Sequence, residues 1–224
     1  MDIKQRAIDN LKGQVGSESS EPPVRPKASV LIPLFVKNGE LYVLLTLRSE
    51  QLRTNAGEVC FPGGKSDPQD TDEIHTALRE AEEEIGIPPD QVEVVCRLLD
   101  PIVSKGGLLV TAVVGFIDGS FLPRPNPAEV SEVFAVPLNL FVQKKDHSMF
   151  GAPGMFLHSF QFLDSDSGRQ YRIYGLTAAF AIIVAVLALV SSCSPGEKHP
   201  GVTEHPGGTE VLWLDGSYLR LFFL

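Results

Sequence analysis

The densest group of acidic residues in the sequence runs from Asp67 to Glu84, and Arg79 is the one Lys or Arg within it. A helix advances about 100° per residue, so Glu80 and Glu84 would share a face with Glu83 beside them. Neighbouring carboxylates repel one another unless a cation balances their charge. Mg²⁺ and Mn²⁺ prefer such oxygen ligands, and they can bind a pyrophosphate and activate a water molecule. The segment therefore predicts a divalent-metal site for phosphate chemistry, with a solvated acidic surface as the alternative.

The carboxylates need a helix to hold them, and the sequence predicts one over residues 70–85. Asp70 and Glu73 have the spacing of a capping box at its start, and Gly86 is a suitable stop. Apolar residues recur every three to four positions and would pack the helix on a sheet; they are Ile74, Ala77, Leu78, Ala81 and Ile85.

Around this helix the hydrophobic pattern predicts mostly strands. Asn38-Gly39 separates the first two runs and is a strong hairpin signal. Residues 53–70 are predicted to be a long loop, and 138–142 a short helical turn. Many strands with two helices favour an α+β fold with a mixed sheet. The predicted strands are 30–36, 41–47, 92–99, 109–117, 130–137, 155–163 and 170–174.

The domain is expected to span residues 29–190. Residues 1–28 are interpreted as a flexible tail, in which 2–12 could form a short amphipathic helix, and 191–224 as an atypical C-terminal tail. The apolar run 176–190 is shorter than the roughly 20 residues of a membrane span. We therefore predict a buried helix packed on a sheet, with a membrane anchor as the alternative.

The overall composition limits the class of partner. The 224 residues are 43% hydrophobic, which suits one α/β domain with a real core. A net charge of −9 argues against a nucleic-acid surface, which usually carries a basic patch. It does not exclude phosphate substrates, because metal ions can reverse the local charge. The sequence predicts no oligomeric state.

The end of the acidic segment carries a family resemblance. Residues 79–87 read Arg-Glu-Ala-Glu-Glu-Glu-Ile-Gly-Ile and resemble the second half of the Nudix box, which here spans about 64–87. The stretch from Gly64 to Arg79 is one residue longer than the family pattern. The first glutamate of the box falls on Asp70 counted forward and on Thr71 counted backward, so it has no secure counterpart. The resemblance implies a Nudix-type α/β/α sandwich.

The resemblance also implies roles for individual residues. Glu80, Glu83 and Glu84 would be the ligands of Mg²⁺ or Mn²⁺, and Glu80 and Glu83 would also act in catalysis. Arg79 would orient these carboxylates through a bidentate ion pair, with a surface salt bridge as the alternative. Gly64 could offer its backbone carbonyl to the metal or simply form a turn.

A second signature lies directly upstream. Residues 44–64 follow the pattern L-L-T-x-R-S-x3-R-x3-G-x3-F-P-G-G. This is similar to the coenzyme A subgroup of Nudix hydrolases, which also carries the one-residue insertion. Coenzyme A has a 3′-phosphate besides its pyrophosphate, so Arg48 and Arg53 are predicted to bind phosphate, or else to hold the loop through internal ion pairs. Phe61 could contact the substrate or only pack, and Gly63 completes the predicted substrate-binding loop with Gly64.

The subgroup resemblance implies a reaction. Coenzyme A and its acyl esters would be split into 3′,5′-ADP and (acyl-)4′-phosphopantetheine. Glu129 is the candidate for a general base or further metal ligand, and an ion pair at a strand edge explains it equally well. Hydrolysis of another nucleoside diphosphate derivative and a non-catalytic acyl-coenzyme A binding module are the alternatives.

The resemblance bears on location as well. Peroxisomal members of the subgroup tend to end in a Ser-Lys-Leu-type signal. This chain ends Phe222-Phe223-Leu224 and lacks that signal. A peroxisomal location is thus expected by resemblance alone, with the cytoplasm as the alternative.

Overall fold

The computed structural model describes residues 2–12, 25–98, 101–152 and 155–190. The chain divides into two compact units, one ending at Pro137 and one beginning at Leu138. The domain predicted over 29–190 is thus built from two units. The predicted C-terminal tail, 191–224, and residues 13–24 of the predicted N-terminal tail lie outside the described residues.

The described part of the first unit contains two helices and eight strands, with a short 3₁₀ helix at Pro89–Gln91. Its helices are α1 (Ile3–Lys12) and α2 (Glu73–Ile85). Its strands are β1 (Lys27–Lys37), β2 (Glu40–Arg48), β3 (Val59–Cys60), β4 (Gly63–Lys65), β5 (Glu93–Arg97), β6 (Ile102–Val103), β7 (Leu109–Phe116) and β8 (Val130–Pro137). The loop predicted over 53–70 therefore contains two short strands.

The eight strands form one mixed sheet. Strand β1 is central: it runs parallel to β7 and antiparallel to β2 and β4. The order is β3-β2-β1-β7-β5, while β6 pairs with β7 and β8 with β2. The predicted α+β class with a mixed sheet is confirmed.

The predicted hairpin joins β1 to β2. Lys37 pairs with Glu40 in register, and Asn38 and Gly39 have φ of 54° and 78°. Two consecutive positive φ values are what a type I′ turn requires, and Asn-Gly tolerates them best. This local signal therefore determines the register of the two strands.

The two helices of the first unit cover opposite faces of the sheet. Helix α2 packs on the face that carries Leu31 and Val113. Lys4 of α1 pairs with Glu93 at 2.8 Å and lies over the ring of Phe116. Glu93 and Phe116 are register partners, and alternation along β7 directs Phe116 away from the Val113 side. This unit alone is therefore an α/β/α sandwich.

Helix α1 lies within the stretch that was expected to be a flexible tail. Ala7, Ile8 and Leu11 are buried at spacings of one helical turn or less, as an amphipathic helix requires. The short helix suggested for 2–12 is present, and it is part of the packed core. The interpretation of a flexible tail therefore does not apply to residues 3–12.

The capping box predicted at Asp70 and Glu73 is wrong. Helix α2 begins at Glu73, and its N-cap is Asp72, whose extended backbone lets Oδ1 accept from the His75 N–H at 2.7 Å. Asp70 instead forms an ion pair with Arg79. The predicted C-terminal stop is correct, since Gly86 has φ of 72°, a conformation that glycine adopts without strain.

The described part of the second unit contains a three-stranded antiparallel sheet and one α-helix. A 3₁₀ helix (Leu138–Val142) precedes β9 (His147–Ala152), β10 (Met155–Leu163), β11 (Gln170–Tyr174) and α3 (Gly175–Val190), and the sheet order is β11-β10-β9. Strand β9 was not predicted. Helix α3 packs on β10 and β11, as expected for a buried helix. No helix among the described residues is long and apolar enough to cross a membrane.

Candidate active site

Two glycines bring the backbone of β4 against α2. A Cβ on Gly64 would lie 2.5 Å from Oε2 of Glu80, and a Cβ on Gly63 would clash with the Ser29 carbonyl of β1. Gly63 also has φ of 155°. A side chain on Gly63 would clash with backbone, and one on Gly64 would displace the Glu80 carboxylate. The two glycines therefore let the strand approach this carboxylate directly.

Arg79 lies at the centre of an ion-pair network on α2. Its Nε and Nη2 donate to the two carboxylate oxygens of Asp70, both at 2.9 Å, and Nη2 also donates to the Lys65 carbonyl at 3.1 Å. Its Nη1 contacts Glu80 at 2.9 Å and Glu83 at 3.1 Å. The bidentate partner is therefore Asp70, and two predicted metal ligands share the remaining nitrogen.

Asp70 is bound more tightly than any other acidic group described in the site. Besides Arg79, the Asp67 backbone N–H and the Thr76 hydroxyl donate to its Oδ2, at 2.8 Å and 2.9 Å. The guanidinium of Arg79 holds the pKa of this carboxyl well below its usual range. Asp70 thus stays ionised and orients Arg79.

Glu84 is the most buried of the predicted ligands, with a side chain only 4% exposed. Its Oε2 accepts from the Gly63 N–H at 3.1 Å, and its Oε1 lies 4.0 Å from Nη1 of Arg48. Burial raises the pKa of Glu84 to about 7, against the opposing effects of the Gly63 hydrogen bond and the Arg48 charge. Glu129 and Glu80 add to the rise.

The other two predicted ligands are more accessible. The Glu80 side chain is 16% exposed, and burial raises its pKa while Arg79 opposes the rise. The Glu83 side chain is 55% exposed. The exposure of the three carboxylates on the helix therefore decreases from Glu83 through Glu80 to Glu84.

A loop carries Glu129 to the same place. The Asn126 N–H donates to the Glu84 carbonyl at 2.8 Å, and the Glu129 N–H donates to the Asn126 carbonyl at 3.0 Å. The Ser49 N–H donates to the Glu129 carbonyl at 2.8 Å. The charge of Glu129 contributes to the raised pKa of both Glu80 and Glu84. Its carboxylate therefore belongs electrostatically to this cluster.

The residues predicted to bind substrate fall into two groups. Arg48 is largely buried beside Glu84, and its Nε has no hydrogen-bond partner among the described residues. Phe61 is 2% exposed, which favours packing among its two interpretations. Arg53 is exposed in the loop between β2 and β3. The structure thus brings Arg48 to the carboxylates and leaves Arg53 facing solvent.

The sequence reasoning did not assign two residues of this network, Asp70 and Thr76. The insertion between Gly64 and Arg79 made the counterpart of the first box glutamate ambiguous. The signal available was the forward count from Gly64, which reaches Asp70, and the structure places that carboxylate against Arg79. An aspartate with one extra loop residue therefore makes the ion pair.

The donor set suits a hard divalent cation, because it consists of carboxylates. The side chains do not yet converge: across residues 2–12, 25–98, 101–152 and 155–190 no three Asp, Glu, His or Cys side chains form a ready metal cluster. Glu80 and Glu83 bind Arg79 instead, and Glu84 binds Gly63. The raised pKa of the buried Glu84 nevertheless means that nearby positive charge does not fully balance its carboxylate. The residues therefore fit a divalent cation, which the side chains would rotate to bind.

The segment that forms this site matches a known protein family. Residues 25–155 match the NUDIX domain, a segment that contains β4, α2 and the Glu129 loop. The chain is 47% identical over 200 residues to the peroxisomal coenzyme A diphosphatase NUDT7 of Mus musculus, covering 85% of this chain and 84% of that protein. It is 38% identical over 221 residues to the mitochondrial Nudix hydrolase 15 of Arabidopsis thaliana, covering 89% and 76%. It is also 41% identical over 180 residues to the uncharacterized Nudix hydrolase NudL of Escherichia coli O6:H1, covering 75% and 84%. The chain belongs to the Nudix hydrolase family.

Proposed function

We propose that this Nudix hydrolase cleaves the pyrophosphate of coenzyme A and acyl-coenzyme A, releasing 3′,5′-ADP and (acyl-)4′-phosphopantetheine. The observation that carries the proposal is the buried Glu84, whose pKa is raised by burial and whose neighbours are Gly63, Arg48 and the other carboxylates. The signature over residues 44–64 and the mouse relative, named as a coenzyme A diphosphatase, support the substrate.

Nudix hydrolases generally use divalent metal ions, and we propose Mg²⁺ or Mn²⁺ here. Glu80, Glu83 and Glu84 would hold the ion, whose charge would offset that of the pyrophosphate and lower the pKa of water. Arg79 orients Glu80 and Glu83 through its Nη1. Glu129 is our candidate to take the proton from the attacking water, since its loop is hydrogen-bonded to the backbone of Glu84.

The two arginines of the upstream loop would have different tasks. Arg48 lies 4.0 Å from Glu84, so a phosphate it binds would lie next to the carboxylates. Arg53 is exposed and is the better placed to bind a phosphate that stays outside, such as the 3′-phosphate. Arg53→Ala should therefore impair hydrolysis of coenzyme A more than that of dephospho-coenzyme A, which lacks this group. Lys105→Ala, another exposed cation, should affect both substrates equally little.

The test of the proposed function is hydrolysis by the pure protein. Coenzyme A and acetyl-coenzyme A are incubated with Mg²⁺ or Mn²⁺, and products are identified by mass spectrometry. We expect 3′,5′-ADP and the corresponding phosphopantetheine, and no reaction in EDTA. A panel of ADP-ribose, NADH and dinucleoside polyphosphates measures specificity. Absence of both products at high enzyme concentration, or faster turnover of a panel member, would overturn the assignment of substrate.

We further propose that the protein acts in peroxisomes. The support is the name of the mouse relative, a peroxisomal protein. Immunofluorescence of the untagged protein beside a peroxisomal marker tests this, and uniform cytoplasmic staining would contradict it.

A further inference from the structure

Thr76 is a polar residue on the buried side of α2, with 0% of its surface exposed. Its hydroxyl lies 2.9 Å from Oδ2 of Asp70, 3.2 Å from the Asp72 carbonyl and 3.4 Å from the Ser66 hydroxyl. A hydroxyl has one hydrogen to donate. The shortest contact is to an ionised acceptor, and hydrogen bonds to ionised acceptors are the stronger ones. Asp70 is therefore its partner.

The position of Asp70 depends on such donors. Its carboxylate is only 3% exposed, so its oxygens must be satisfied within the protein. Oδ2 accepts from the Asp67 backbone, from Thr76 and from Arg79, whereas Oδ1 accepts from Arg79. The Asp67 and Thr76 donors approach independently of Arg79. They can therefore hold the carboxylate in place while Arg79 binds to it.

The orientation of Asp70 decides where the charge of Arg79 acts. With Nε and Nη2 bound to Asp70, only Nη1 reaches Glu80 and Glu83. If Asp70 turned away, Nε would lose its partner and the Lys65 carbonyl alone would hold Nη2, so more of the guanidinium could pair with these two carboxylates. Such a pair would compete with a divalent cation for the same oxygens.

We propose that Thr76 is a positioning residue of the active site, whose hydroxyl fixes Asp70 so that only Nη1 of Arg79 pairs with Glu80 and Glu83 and competes with metal for them. This inference rests on the proposed function, because it assumes that these glutamates bind the ion. The competing explanation is local: the hydroxyl bonds only the Asp72 carbonyl one turn earlier, which affects the helix and not the metal.

The experiment measures metal binding without any substrate. Free Mn²⁺ is titrated into the protein and followed by electron paramagnetic resonance. Thr76→Val keeps the shape of the side chain and removes the donor. We expect a rise of roughly three- to tenfold in the Mn²⁺ dissociation constant, the scale of a lost hydrogen bond to a charged group after partial compensation. Thr76→Ser should restore the wild-type value, and Thr111→Val on β7 should not change it.

A double-mutant cycle tests whether Thr76 acts through Asp70. In an Asp70→Asn background, Thr76→Val should weaken Mn²⁺ binding little further, because the acceptor charge is already lost. Circular dichroism confirms that each variant is folded. With saturating Mg²⁺, Thr76→Val should retain kcat within about twofold, since the added metal overcomes the competition.

The outcomes are distinguishable. Unchanged Mn²⁺ affinity in a folded Thr76→Val variant, or equal effects with and without Asp70, would overturn the positioning role and leave the proposed function standing. A wild-type protein that binds no Mn²⁺ would overturn the metal site and this inference together. Mn²⁺ binding with the expected shift, but without hydrolysis of coenzyme A, would support the role of Thr76 and overturn the substrate.

Discussion

Glu84 is the residue at which stability and the proposed function conflict most directly. It is buried on the inner side of α2, and burial raises its pKa, so its ionised form is costly until a cation arrives. Glu84→Gln keeps the size and an acceptor for the Gly63 N–H but loses the charge. We expect kcat to fall by more than about 100-fold, because even groups outside a metal's ligand shell cost 10- to 100-fold when changed. Steady-state kinetics with coenzyme A and Mg²⁺ measure this. The matched control is Glu82→Gln, an exposed glutamate two positions away, and comparable losses in both would contradict a specific role for Glu84.

Gly64 offers a second change at the scale of one residue. Gly64→Ala would place a Cβ 2.5 Å from the Glu80 carboxylate, so either the side chain or strand β4 must move. We expect the apparent activation constant for Mg²⁺ to rise at least about tenfold, because small displacements of reacting groups are costly. A Mg²⁺ titration of activity measures it. Gly106→Ala is the control, since a Cβ there meets nothing closer than 3.9 Å. Wild-type Mg²⁺ dependence in Gly64→Ala would show that Glu80 does not need this approach.

Residue types and spacing were sufficient to predict the helix that carries Glu80, Glu83 and Glu84, whose role as metal ligands stays a prediction. They were insufficient for Asp70, because its role depends on how the loop before the helix folds. Two counts of the same motif led to two different residues, and only the ion pair with Arg79 distinguishes them. A residue whose role depends on contacts made by a folded loop leaves no periodic signal.

At the scale of an element, α2 is held at its start by Asp72. Its carboxylate accepts from the His75 N–H at 2.7 Å, and N-cap side chains satisfy donors that the helix itself cannot. Asp72→Ala should lower the free energy of unfolding by about 1 kcal/mol, as measured by urea denaturation. Mn²⁺ affinity should remain near wild type, because Asp70 rather than Asp72 binds Arg79. Asp90→Ala, an exposed aspartate outside α2, should change neither quantity, and a stability unaffected by Asp72→Ala would contradict the assigned cap.

Elements with strong local signals were predicted well. The Asn-Gly turn determines the β1–β2 hairpin, and the apolar stripe with Gly86 determines α2. Strand β9 was missed because His147–Ala152 mixes polar, aromatic and glycine residues without clear alternation. Its pairing with β10 is a tertiary effect, and such effects commonly override weak local propensity.

At the scale of the whole molecule, strand pairing assembles the site. Arg48 at the end of β2 pairs with Val130 at the start of β8, which brings Arg48 and Glu129 to one edge of the sheet. The pairing of β4 with β1 places Gly63 and Gly64 at α2. All the described site residues therefore lie in the first unit. No sequence motif contains this strand order, so the approach of Glu129 to α2 could only be proposed from resemblance.

The raised pKa of Glu84 gives stability a defined pH dependence. In the unfolded chain a glutamate titrates near its ordinary value of about 4.5, whereas in the metal-free folded protein burial raises the pKa of Glu84 to about 7. The folded protein thus holds a proton that the unfolded chain releases. The free energy of unfolding that protonation of Glu84 contributes is therefore fully present below pH 4.5 and is lost as the pH rises through 7.

Glu84→Gln removes that titration, because its amide is neutral at every pH. In EDTA at pH 8, we expect the variant to be more stable than wild type by roughly 1–2 kcal/mol, less than the full pKa shift because Arg48 loses its partner. At pH 4.5 the two proteins should be nearly equally stable.

Adding Mg²⁺ at pH 8 should raise the melting temperature of wild type, since a ligand of the folded state stabilises it. It should have little effect on the Glu84→Gln variant. Urea denaturation and thermal melting measure these quantities, with Glu82→Gln as the control that behaves as wild type throughout. A stability difference that does not depend on pH, or an equal response of both proteins to Mg²⁺, would mean that the charge of Glu84 is not what the metal neutralises.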